Sequence, residues 1–297
     1  MISESSPVRD LLAIHAAVLL FGFAGLFAKW LPLSPLVIVF GRVVFAGMAL
    51  AAGIAAFVPS AKWRIVPASD ALVLLALGVL LSVHWAAFFE AVQVSSVAVG
   101  LLSYSSFPVF TAFLEPLALK EKVDRSSIFF GIVCLTGVFM IVPRFDLTHQ
   151  TFRGVLWGLL SGLTFSILAV QNRRLAQRHS SLVVAFYEDA FAAVALLPFV
   201  LRGFPRLEAG GIGLLLLLGV VCTAVAHTLF IRGMRRIGAR AASLISSLEP
   251  VYGIALALVF LGEIPAPRTI LGGLIILVTA AAVTAASGQG RTTQGTD

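Results

Sequence analysis

The side chains best placed to bind or move something lie inside apolar runs. One run holds His84, Trp85 and Phe88, and the next holds Ser103, Tyr104, Ser106, Phe107 and Thr111 around Pro108. A later run holds Trp157, Ser161, Thr164, Phe165 and Gln171. Another carries His227 and Phe230, and Ser246, Ser247 and Glu249 crowd against Pro250. His84 and Phe88 are four apart, as are Ser161 and Phe165, so on a helix each pair shares a face. Rings on one face can sandwich a flat apolar ligand, while hydroxyls and helix ends take its polar head. Glu249 suits an ammonium group or a transferable proton. Ionisable groups within a membrane span are costly and therefore functional candidates. Glu188 and Asp189 qualify too. Being adjacent, they point about 100° apart on a helix, so one is expected inward and the other at the cytoplasmic interface. Arg42 and Glu90 fall at similar depth on neighbouring runs, where an ion pair or gate contact is expected. Blander roles stay open at this stage: a phenylalanine facing lipid, a packing histidine, a structural acid beside a bend.

Catalytic constellations are missing. His15, His84 and His227 sit on separate runs, and no H-E-x-x-H, close Asp pair, G-x-S-x-G or P-loop motif occurs. No enzyme, metal or cofactor is expected, although an intramembrane enzyme remains the rival class. Cys134 and Cys222 stand alone in different runs and read as small core residues. The net charge of +7 is spread in short clusters without interleaved aromatics, so no nucleic-acid partner is expected.

The elements that must position these groups follow from composition. The chain is 59% hydrophobic and 12% charged with a mean hydropathy of +1.02, which points to an all-α polytopic membrane protein in a lipid bilayer. About 20 apolar residues cross the hydrocarbon. Ten such spans are expected, near 11–29, 35–57, 70–91, 96–119, 126–143, 153–172, 181–201, 210–231, 239–262 and 268–286. The first reads as a retained helix and the polar tail, 287–297, as disordered. With the N-terminus inside, cytoplasmic segments hold 14 of the 21 Lys and Arg and the opposite side 6, with Arg42 inside a span. That bias places both termini in the cytoplasm. Oligomeric state is not encoded, since an apolar surface facing lipid is composed like one facing a second subunit.

The prolines belong to an internal repeat. At a constant shift of 142, Val83–Leu135 matches Val225–Leu277, with Ser105 on Ser247, Pro108 on Pro250, Glu121 on Glu263 and Gly131 on Gly273. Residues 1–143 and 153–286 thus read as two copies of a five-helix unit. Five is odd, so the second copy enters the bilayer inverted, as in many transporters with a midplane site. Each proline is expected to remove a backbone hydrogen bond and kink its helix beside a central cavity.

The block EPVYGIALALVFLGE at Glu249–Glu263 and its echo FPVFTAFLEPLALKE at Phe107–Glu121 resemble the drug/metabolite transporter superfamily, EamA-type ten-helix group. The aromatic spans look most like its YddG-like aromatic amino-acid exporters. Lys120 stands where the better-kept copy has Gly262. The resemblance implies export of small metabolites through a central cavity by alternating access. It leaves amino acids and nucleotide sugars as substrate classes. The spans are nearly bare of cations, which favours zwitterionic amino acids at the bacterial-type inner membrane.

Overall fold

In a computed structural model, residues 7–57, 67–119, 125–175, 178–203, 205–230 and 245–287 are described, and they form helices with no strand among them. Glu121, the start of the expected ninth span, the polar tail and many of the basic residues behind the orientation argument lie outside them. The helices are α1 (Pro7–Ala24), α2 (Phe27–Trp30), α3 (Pro35–Phe57), α4 (Ala68–Val94), α5 (Val97–Tyr104), α6 (Phe107–Leu119), α7 (Arg125–Ile141), α8 (Gln150–Leu175), α9 (Ser181–Leu201), α10 (Ala209–Gly219), α11 (Glu249–Leu261) and α12 (Pro267–Ser287). A π-helical turn, Val220–Val225, continues α10.

Among the described residues, seven helical segments are long and apolar enough to cross a membrane: Leu11–Trp30, Pro35–Ala56, Ala68–Val94, Val97–Leu114, Gln150–Asn172, Leu182–Leu201 and Ala209–Phe230. Three shorter apolar helices, Arg125–Ile141, Glu249–Leu261 and Pro267–Val283, occupy the fifth, ninth and tenth expected positions. Helix is forced here because lipid offers no partner to a free N–H or C=O.

The pattern of packing respects the repeat. α3 packs on α9 and α7 on α12, each pair joining equivalent spans. α4 packs on α8, and its counterpart is α1 against the π turn; α5 on α8 is matched by α1 on α11. Lipid tails are as apolar as leucine, so close approach, not hydrophobic burial, must hold these seams. Gly154, Gly158 and Gly162 supply it on α8. A Cβ on Gly158 would come within 2.5 Å of Ser103 Cβ, and one on Gly162 within 2.8 Å of the Tyr104 carbonyl. Across the other seam, a Cβ on Gly22 would sit 2.8 Å from the Glu249 carbonyl.

The two prolines do not act as the sequence suggests. The fourth span is interrupted at Ser105–Ser106, and Pro108 is the second residue of the new helix α6. Pro250 likewise sits in the first turn of α11. First-turn N–H groups have no intrahelical acceptor, so neither proline deletes a hydrogen bond. The break itself bends the span. Hydroxyls cover its carbonyls: Ser105 donates to Leu101 at 2.8 Å, Ser106 to Ser103 at 2.7 Å and Ser166 to Phe107 at 2.7 Å.

Both ends of the bundle carry ties between the two halves of the chain. At one, Glu263 accepts the Val97 N–H at 2.9 Å, capping α5, and lies 4.0 Å from Lys29. Lys29 also donates to the Ser95 carbonyl at 3.1 Å. Gly262, at φ 66°, makes the left-handed turn that aims Glu263. At the other, His179 Nε2–H donates to Asp70 at 2.7 Å, and Arg178 lies 3.6 Å from the same carboxylate.

Candidate functional site

α4 presents His84, Trp85 and Phe88 on its buried side, each 5–6% exposed. The broken fourth span lays Tyr104 and Phe107 alongside. Tyr104 stacks on Phe107 with ring centroids 5.4 Å apart, and Phe165 of α8 meets Phe107 edge-on at 4.9 Å. His84 joins Tyr104 at 5.7 Å and Phe165 at 5.3 Å, while Phe88 reaches Tyr104 at 5.9 Å. Trp85 extends the set to His227 at 6.1 Å, and Phe21 closes on His227 at 5.3 Å. Such tilted and edge-on pairs satisfy the ring quadrupoles and hold the cluster rigid.

His84 is oriented by α8. Its Nδ1 lies 2.9 Å from the Ser161 carbonyl, which only accepts, so Nδ1 carries the proton and Nε2 is left as an acceptor. His227 is half-buried and makes ring contacts with Phe21 and Trp85.

Arg42 enters this group from α3, with its guanidinium carbon 3.8 Å from the centre of the Trp85 ring. Its Nε donates to Thr223 at 2.7 Å. The π turn delivers Thr223, whose hydroxyl donates in turn to the Leu218 carbonyl at 2.9 Å. The expected pairing of Arg42 with Glu90 does not form. Trp85 takes the face of α4 that meets Arg42, and Glu90, five positions on, points about 140° away.

Three buried carboxyl groups complete the set. Glu188 and Asp189 are both buried, 6% and 2% exposed, which corrects the expectation that one would reach the interface. Asn172 donates to Glu188 Oε2 at 3.2 Å, and Oε1 has no partner among the described residues. Asp189 and Glu249 lie within electrostatic range of Arg42, yet neither makes an ion pair or side-chain hydrogen bond among the described residues.

Other expected members lie elsewhere. Trp157 is 39% exposed on the outer face of α8, because the neighbouring glycine stripe takes the inner one. Ser103 is fully buried in the seam against Gly158, its hydroxyl unpartnered among the described residues. Ser246 is half-buried just before the turn into α11. Phe21 and Thr223 were not among the expected residues, and nothing in the run VVCTAV marks a π turn. A cavity of about 290 Å³ between α6 and α7 is lined mostly by apolar side chains such as Val109, Phe113 and Val138, and by none of the rings of the aromatic cluster.

The chain is similar to known transporters along its whole length. The model of the EamA-like transporter family matches it twice, over residues 9–142 and 152–285. The uncharacterized transporter YxxF of Bacillus subtilis is 25% identical over 100% of this chain and 96% of its own. The pseudopaline exporter CntI of Pseudomonas aeruginosa is 26% identical over 71% and 74%. A solved crystal structure superposes with a TM-score of 0.65 at 20% identity, covering 93% of this chain and 97% of its own, which shows the shared fold. With two matched family units and membrane-length apolar helices, this chain is an integral membrane protein belonging to the EamA-like transporter family.

Proposed function

We propose that this protein is a secondary transporter that exports amino acids, aromatic ones included, and related small metabolites across the cytoplasmic membrane. Residues 1–143 and 153–286 act as inverted five-helix repeats that expose a central chamber to each side in turn. Both termini are cytoplasmic in this reading, so the Asp70 end faces inward and the Glu263 end outward.

One observation carries the substrate class. A packed aromatic cluster holds a guanidinium against Trp85, and two buried carboxyl groups lie within electrostatic range of that guanidinium without an ion pair among the described residues. Rings receive a hydrophobic side chain, and opposite charges receive the two ends of a zwitterion. A nucleotide sugar brings a pyrophosphate and needs an excess of cations; among the described residues here, Arg42 is buried with Asp189 and Glu249 in electrostatic range. Kinship with a protein named as an exporter supports the direction of transport.

The test is uptake of labelled phenylalanine, threonine and a nucleotide sugar into liposomes holding pure protein. Saturable movement of the amino acids is expected. Robust nucleotide-sugar exchange with neither amino acid moving overturns the substrate class. Glu249, buried and without a side-chain hydrogen bond among the described residues, is the proposed proton carrier. Glu249→Gln should therefore flatten the pH profile of uptake, and an unchanged profile removes it from that role.

A further inference from the structure

We propose that Arg42 is the receptor for the substrate carboxylate, with Asp189 facing the ammonium group; this rests on the amino-acid reading above and assigns the polar half of that site.

An arginine buried for structural reasons consumes its donors. Leaving a guanidinium buried and unpaired is strongly unfavourable, and structural arginines settle into bidentate pairs with carboxylates. Arg42 is only 3% exposed and has two buried acids within electrostatic range, but among the described residues no carboxylate oxygen comes within 4.0 Å of it. Its one hydrogen bond among the described residues uses Nε, toward Thr223. The flat face is taken by Trp85. What remains is the edge bearing the two Nη groups, which have no acceptor among the described residues. That edge carries paired N–H donors in the fork that matches a carboxylate.

Features of the backbone, independent of the charges, build this arrangement. Thr223 reaches Arg42 only because the helix widens into a π turn at Val220–Val225, and such turns are rare and concentrate at functional sites. Removing the extra residue would rotate Thr223 about 100° away from Arg42. Gly219, one turn earlier, lets the two helices touch: a Cβ there would lie 2.7 Å from the Arg42 carbonyl. Stack and hydrogen bond together fix the guanidinium plane before any ligand arrives. Preorganisation of this kind lowers the entropic cost of binding. Trp85 lies against the guanidinium, and the ring cluster of His84 and Tyr104 continues from it, offering aromatic surface to the side chain of an aromatic amino acid.

The experiment measures competition against labelled phenylalanine in proteoliposomes by three compounds. These are phenylalanine, 2-phenylethylamine, which lacks the carboxylate, and 3-phenylpropionate, which lacks the amine. Wild type should prefer phenylalanine to phenylethylamine by about tenfold or more, the factor that roughly 1.4 kcal/mol supplies. In Arg42→Gln that preference should collapse toward one while inhibition by phenylethylamine is kept. Asp189→Asn should instead erase the preference over phenylpropionate. Arg42→Lys, which keeps the charge and loses the fork, should fall between; it gives the same ratio if the glutamine variant does not fold. An unchanged phenylalanine-to-phenylethylamine ratio in both Arg42 variants overturns the assignment and leaves the substrate class standing. Equal weakening of all three compounds also overturns it, since that is the mark of a packing role. A wild type that does not respond to phenylalanine overturns both readings.

Discussion

Gly162→Leu should leave little folded protein, while Gly53→Leu should be silent. The two glycines differ in what a side chain would meet. At Gly162 even a Cβ would lie 2.8 Å from the Tyr104 carbonyl and 3.2 Å from the Ser106 hydroxyl, at the break in the fourth span. Backbone cannot swing aside as a side chain can, so α8 and the α5–α6 break must separate. Overpacking by a methylene or so already costs about 1–3 kcal/mol where the neighbours are flexible, and here they are not. The separation would also pull Phe165 from Phe107 and His84 from Ser161, dismantling the aromatic wall. At Gly53 nothing lies within 4 Å of the added atom. Size-exclusion profiles and thermal melting of both variants decide this. A monodisperse Gly162→Leu with an ordinary Tm would refute the packing argument.

Breaking the ties at the two ends should open opposite sides of the protein. Glu263 of the second half caps α5 of the first and stands by Lys29; Asp70 of the first half holds Arg178 and His179 of the second. Alternating access requires that one set part while the other holds. Losing a side-chain cap costs about 0.5–2 kcal/mol, and 1 kcal/mol shifts a two-state population roughly fivefold. Cys222 is a natural reporter, fully buried and beside the Thr223 that Arg42 holds. In a Cys134→Ala background, Glu263→Ala should speed labelling of Cys222 by a membrane-impermeant thiol reagent added at the Glu263 side. Asp70→Asn should do so from the Asp70 side. Equal acceleration from both sides, or from neither, would contradict a two-gate arrangement.

Several features were legible from residue types alone. Composition demanded a membrane protein of helices, and twelve identities at one shift, Pro108 on Pro250 among them, exposed the repeat. Both are properties of the chain summed over many residues, so no single contact could upset them. The aromatic positions His84, Phe88, Tyr104, Phe107 and Phe165 were also legible, because i, i+4 spacing survives wherever the helix is regular.

What failed depended on rotation about helix axes. Arg42 was paired with Glu90 by depth, but partner choice follows the face each helix turns inward, and that is set by where glycines let backbones meet. The same rotation sends Trp157 outward and buries Glu188 together with Asp189. Pro108 and Pro250 were found, yet their role changed, since only the structure shows each helix beginning anew just before its proline. The π turn that brings Thr223 to Arg42 left no trace in its own residues. Sequence alone therefore determined the medium, the helical class and the duplication, all of which follow from side-chain chemistry and its period. Tertiary packing alone decided which charges meet, because an ion pair or a stacked guanidinium depends on rotations of some tens of degrees that close backbone contacts impose.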